Sequence, residues 1–171
     1  MPFVIAAPEV DECPISGESP RELAVRLAHA KACAVRAAFP EALIIGCDQV
    51  AVVDGSLLNK PGDHAHARRQ LRLMRGRPAT FFTALCLLNA RTAQVQQDVA
   101  TDVVHMRRFS DAQIERYLEA DRPYDCAGSA RIEGLGITLV EKLEGEDPSA
   151  LIGLPLLKLC AMLRNEGIEL P

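Results

Sequence analysis

The chain has 171 residues, 49% hydrophobic and 25% charged, with a formal net charge of −4. A chain of this length buries about two-thirds of its unfolded surface and needs no disulfide or metal staple, so one globular domain is expected and disorder is excluded. The negative balance and the lack of a long basic run argue against broad contact with a nucleic-acid polymer, while a nucleotide monomer stays compatible with both.

Ser19-Pro20-Arg21-Glu22 predicts a helix start, with Ser19 as cap, Pro20 in the first turn and Glu22 completing a capping box. Leu23, Leu27, Ala30 and Ala34 follow as an apolar stripe at helical spacing. Lys31 lies about 70° from the centre of that stripe, placed either to reach along a cleft edge or to face solvent. Pro40 closes the helix, and Leu43-Ile44-Ile45-Gly46-Cys47 then reads as a buried strand. Gly46 lets a ligand or a neighbouring backbone come close. Asp48 and Gln49 are expected at the strand's end, the position from which α/β proteins present chemistry, although the same Asp also fits a simple loop cap.

Val50–Val53 extends the strand towards a turn at Asp54-Gly55. A punctuated loop through Leu57-Leu58-Asn59-Lys60-Pro61-Gly62 leads to a helix over residues 64–75, ended by Gly76-Arg77-Pro78. Residues 79–88 and 95–106 predict an antiparallel strand pair. In the second strand Val95, Val99, Val103 and His105 share one face, while Gln96, Asp98 and Asp102 lie opposite. Ser110-Asp111-Ala112-Gln113 caps a helix containing Ile114, Tyr117 and Leu118, a strand is expected at residues 137–140, and Gly153-Leu154-Pro155 opens a last helix through Leu163.

The six cysteines are scattered, with no Cys-x-x-Cys and no compact Cys/His spacing, so a structural zinc site is not expected. Several sit among Ala, Leu and Ile, as reduced buried thiols do. With no secretory apolar segment and no apolar 18-residue run, a cytoplasmic enzyme or binding protein without membrane contact is the expected class.

Glu12, Lys31, Asp48, Gln49, Lys60 and Glu133 are far apart in sequence but fall at helix edges, strand ends or glycine-marked turns. Such a set suits an assembled cleft, in which two carboxylates hold Mg²⁺ or Mn²⁺ and two ammonium groups oppose a polyphosphate. Glu133 before Gly134 is equally readable as an ordinary turn acid.

Five segments, Ala7-Pro8-Glu9-Val10-Asp11-Glu12, Gly46-Cys47-Asp48-Gln49, Asn59-Lys60-Pro61, Asp125-Cys126-Ala127-Gly128-Ser129 and Ile152-Gly153-Leu154-Pro155, resemble in kind and order the motifs of the Maf family of nucleoside triphosphate pyrophosphatases. The resemblance spans essentially the whole chain. It implies an α/β fold with a bent mixed sheet flanked by helices, of the kind shared with inosine triphosphatases, forming a single domain with two lobes around a central cleft. It also implies a divalent cation, a homodimer, and cleavage of a nucleoside triphosphate to monophosphate and diphosphate. Carried onto this chain, the general base or water-orienting carboxylate is Asp48, its partner in metal binding Glu12, and the phosphate contacts Lys31 and Lys60.

Gln49 and Glu133 match the specificity positions of the branch that acts on 7-methyl-GTP. A carboxylate suits that base, because N7 methylation makes the ring cationic and its other edge presents donors. UTP or dTTP hydrolysis is the alternative enzyme reading, and a non-catalytic nucleotide- or partner-binding form the alternative outside catalysis. Asn59 stands where relatives often carry Gly and is expected to supply left-handed backbone geometry. The family pattern also predicts a preceding strand, a Ser/Arg loop and a helix, about 20 residues that this chain would lack.

Overall fold

The computed structural model describes residues 2–171. Its elements run α1 (Pro20–Ala34), β1 (Leu43–Val53), β2 (Ser56–Leu58), α2 (His64–Met74), β3 (Pro78–Asn89), β4 (Val95–Met106), α3 (Asp111–Asp121), β5 (Val140–Glu144) and α4 (Leu156–Asn165). The strands form one five-stranded sheet in the order β2-β1-β3-β4-β5. Helices pack on both of its faces, the α/β arrangement the sequence implies. The pairings refine that expectation: where a mixed sheet is expected, each ladder among the described residues is antiparallel. Tight turns join β1 to β2 and β3 to β4, and such hairpins connect only antiparallel neighbours.

Strand alternation distributes the core. Even-numbered residues of β1 and β3, among them Ile44, Val50, Ala84, Cys86 and Leu88, pack with α1. Odd-numbered ones face the other way, Ala51, Val53, Ala79 and Phe81 towards α2 and α3, and Leu85 and Leu87 towards α4. The α1 stripe is Leu23, Ala24, Leu27, Ala28 and Ala32 rather than the predicted set, with Ala34 exposed. Close approach explains the difference: a Cβ on Gly46 would collide with the Ala28 carbonyl oxygen and the Ala32 backbone, so small residues at 28 and 32 let the helix lie directly on the strand. Gly46 therefore serves a neighbouring backbone.

The capping boxes of α1 and α3 form as the sequence predicts, Ser19 with Glu22 and Ser110 with Gln113. Three local expectations are corrected. Residues Leu135–Leu139 form a 3₁₀ turn, not a strand, because Gly134 N and Gly136 N both donate back to the Arg131 carbonyl; the strand starts at Val140. In β4 the even residues Asp102, Val104 and Met106 are buried, Val104 and Met106 in the core shared with α2 and α3 and Asp102 against the Gly145 turn, while Val99 lies under α1. Asn59 is not among the residues with positive φ; Gly62 supplies the left-handed turn in that loop.

Candidate active site

A cleft of about 650 Å³ opens between α1, β1 and the loops that follow β2, α3 and β5. All six residues singled out in the sequence, Glu12, Lys31, Asp48, Gln49, Lys60 and Glu133, line it. The topology explains how. Because β2 pairs only with Ala51–Val53, the earlier half of β1 forms an open edge of the sheet, with β3 on its other side. Asp48 thus lies within β1, not at its end: the polar pair Asp48-Gln49 is tolerated mid-strand because this edge borders the cleft. Side chains of opposite parity reach the same space over that edge, Asp48 on the α1 side and Cys47 and Gln49 on the other.

Lys31 projects from the last turn of α1 between two carboxylates. Its Nζ lies 2.6 Å from Asp48 Oδ1 and 2.7 Å from Glu12 Oε1, and the side chains are 21%, 10% and 53% exposed respectively. Burial raises the Asp48 pKa above its ordinary value, and the hydrogen bond from Lys31 only partly offsets this. Burial works against the Lys31 ammonium, but the hydrogen bonds to Asp48 and Glu12 outweigh it and hold its pKa above the ordinary value. The Lys31 hydrogen bond lowers that of Glu12. Two carboxyl groups thus converge on one amine, Lys31 Nζ. Lys60 stands exposed in the cleft lining, close enough to favour the Glu12 anion.

Gln49 lines the cleft, yet its amide nitrogen is turned to the wall: Nε2 donates to Thr83 Oγ1 at 2.9 Å and to the carbonyls of Ala150 and Leu151 at 3.2 and 3.3 Å. Cys47 donates its thiol proton to the Gly153 carbonyl at 2.9 Å and to that of Ala84. Burial pushes the Cys47 pKa up to about 12, so this thiol stays protonated as a donor. These two residues, two apart on one strand face, fasten the 150–153 segment over the sheet. Their wall-holding role escaped the sequence reading, as did the lining by Asp125 and Cys126. The signal for the latter was present in the Asp125–Ser129 motif, which gave the family resemblance but no individual role.

A family model for Maf-like proteins matches residues 1–166. The chain belongs to the Maf family. This Maf-like chain is 53% identical over 169 residues to a 7-methyl-GTP pyrophosphatase of Methylobacillus flagellatus, covering 99% of the chain and 88% of that relative. It is 50% identical to the 7-methyl-GTP pyrophosphatase of Albidiferax ferrireducens over 169 residues, 99% of the chain and 85% of the relative. With the protein of the same name from Cupriavidus pinatubonensis it shares 54% identity over 166 residues, 96% of the chain and 83% of the relative. All six cysteines are free thiols, and no helix among the described residues is long and apolar enough to cross a membrane.

Among the described residues no cluster of three or more His, Cys, Asp or Glu side chains could hold a metal ion unaided. Two carboxylates of the cleft that could contribute to one are Glu12 and Asp48, which both bond Lys31 Nζ. Two hard oxygen donors fit Mg²⁺ or Mn²⁺ when phosphate oxygens and water complete the shell, and fit zinc poorly.

Proposed function

We propose that this chain is a nucleoside triphosphate pyrophosphatase that converts 7-methyl-GTP and water to 7-methyl-GMP and diphosphate. The observation that carries this reading is the convergence of Asp48, Lys31, Glu12, Lys60, Gln49 and Glu133 on one cleft in a chain about half identical to proteins of that name. The cleft volume falls in the usual range for a small ligand, about 300–1,000 Å³, which suits a nucleotide better than a polymer.

Asp48 is the carboxylate that orients and deprotonates the attacking water. Its raised pKa brings it nearer a useful base than an ordinary Asp, while the hydrogen bond from Lys31 favours its anion. The water oxygen bonds to the α-phosphorus as the bond to the bridging oxygen breaks, and diphosphate leaves with the electron pair. Lys31 and Lys60 oppose charge on the phosphoryl oxygens and on the leaving diphosphate. Glu12 and Asp48 would hold a divalent cation against the phosphates, which would supply further charge neutralisation there.

Glu133, in the lining of the same cleft, meets the cationic methylated base, and Gln49 sets specificity by holding the 150–151 wall. The protein is a single Maf-like domain whose α1-side and α2/α3-side cores form two lobes about the cleft. It acts in the cytoplasm as a homodimer; the free thiols support the compartment, and the exposed Ile152, Leu156 and Leu157 support a further interface.

Diphosphate release from a panel of 7-methyl-GTP, GTP, UTP and dTTP with Mg²⁺ or Mn²⁺ tests the reading. The highest kcat/KM is expected for 7-methyl-GTP. A preference for UTP or dTTP would reassign the substrate, and tight nucleotide binding without diphosphate release would replace catalysis by binding.

A further inference from the structure

Resting on the assignment of Glu133 to base recognition, we infer that Asp121 and Arg131 are positioning residues for Glu133, a clamp that holds the loop on both sides of this carboxylate so that it meets the base at the cleft wall. Glu133 is exposed and lies in a turn, outside any strand or helix. What locates it is the backbone on either side. Asp121, the last residue of α3, has a side chain only 12% exposed. One of its oxygens, Oδ1, accepts from Arg131 Nη1 at 3.1 Å, and the other, Oδ2, accepts from Leu135 N at 3.1 Å. A single carboxylate therefore ties down residues 131 and 135, two positions before and two after Glu133.

Further bonds close the loop on itself. Arg131 Nη1 also donates to the Asp121 carbonyl at 3.0 Å, and Arg131 N donates to Tyr117 Oη, which itself donates to the Ser129 carbonyl. Gly134 N and Gly136 N converge on the Arg131 carbonyl at 3.2 and 3.0 Å. A Cβ on Gly134 would approach Asp121 Oδ2 to 2.8 Å, and one on Gly136 would strike the Arg131 backbone, so both glycines are required by the closeness of the clamp. On the cleft side Arg131 Nη2 donates to Asp125 Oδ1 at 2.9 Å, joining the loop to a second residue of the lining.

A carboxylate recognises a base only as well as its backbone is held, because freedom in the loop must be lost again on binding. Asp121→Asn keeps the size of the side chain but offers one acceptor where two donors, Arg131 and Leu135, now point. One arm of the clamp then opens while the site around Asp48 is untouched.

The test is a double-mutant cycle in steady-state kinetics, comparing 7-methyl-GTP with GTP for wild type, Asp121→Asn, Glu133→Gln and the double variant. Asp121→Asn is expected to lower the preference by about tenfold, chiefly through KM for 7-methyl-GTP, while kcat for GTP stays within about twofold. In the Glu133→Gln background the same change should cost little further preference, since the group it positions has lost its charge. Arg131→Lys, which keeps the charge but not the planar fork, gives the same result by a second route should Asp121→Asn fold poorly, and Asp121→Glu should restore part of the preference.

An unchanged preference in folded Asp121→Asn or Arg131→Lys, or losses that add fully to that of Glu133→Gln, would overturn the inference. Should wild type prefer another nucleotide, the substrate reading fails on its own, and the cycle is read on whichever preference Glu133→Gln alters. If Glu133→Gln alters none, the positioning inference fails as well.

Discussion

Asp48 on β1 and Asp102 on β4 are both carboxylates withdrawn into the same sheet, the Asp48 side chain 10% exposed and Asp102 5%. Asp48 has Lys31 at 2.6 Å and the cleft in front of it. Asp102 faces the Gly145 turn and the neighbouring Asp147, and its Oδ2 is buried without a hydrogen-bond partner. Burial, with a smaller push from Asp147, raises the Asp102 pKa to about 6. Asp147 is itself satisfied, accepting from Ser149 N at 3.0 Å and Leu157 N at 2.8 Å, so it offers Asp102 repulsion and no support. The contrast separates two consequences of burying an acid. With an ammonium beside it the charge survives to face a substrate; without one the charge is a liability that a proton relieves.

Exchanging the two acids for amides is the strongest way to break this comparison. Asp48→Asn is expected to lower kcat for 7-methyl-GTP by about 10²- to 10⁴-fold with folding retained, the range for loss of a positioned general base. Asp102→Asn should leave kcat within about twofold, as expected of a residue remote from the reacting atoms. Equal losses in both would erase the distinction.

Removing the ammonium sharpens it further. Lys31→Met leaves Asp48 buried without its cation, so Asp48 should come to resemble Asp102. The acid limb of kcat/KM should lie at higher pH in this variant than in wild type. Activity at neutral pH should fall about tenfold or more through weaker phosphate binding and a smaller anionic fraction. A limb that stays in place would show that Lys31 does not set the charge of Asp48.

The smallest effect expected is on stability. The folded-state pKa of Asp102 lies above its unfolded value near 3.8, so the native protein binds the proton more tightly. Its contribution is neutral below pH 4, becomes progressively destabilising between about pH 4 and 6, where the unfolded chain has already ionised, and is constant above that. Asp102→Asn should therefore raise stability at pH 7.5 by about 1–3 kcal/mol and change it little at pH 4. Denaturant unfolding at the two pH values measures this, and an equal effect at both would contradict an ionised, unpartnered Asp102.

The sequence made the long elements and the site composition legible, and for stated reasons. Capping boxes at Ser19 and Ser110 marked two helix starts, the Asp54-Gly55 turn ended β1, and six polar residues in special settings named the cleft lining. What it left hidden depends on tertiary context. That Asp48 meets an open cleft from mid-strand follows from β2 being too short to cover that edge of β1, which no local pattern shows. The burial of Asp102 follows from the Gly145 turn closing over that face of β4, a contact made only in the folded chain. Likewise the residue pattern at 137–140 reads as a strand because the return of two glycine N–H groups to Arg131 is a contact across a turn.

The most direct measurement is the fate of solvent oxygen. Hydrolysis of 7-methyl-GTP in heavy-oxygen water, followed by mass spectrometry of both products, should place the label in 7-methyl-GMP and leave diphosphate unlabelled, and folded Asp48→Asn should form almost no labelled product. Label in diphosphate or in free phosphate would place the attack at another phosphorus, and undiminished labelled product from Asp48→Asn would remove Asp48 from the reaction.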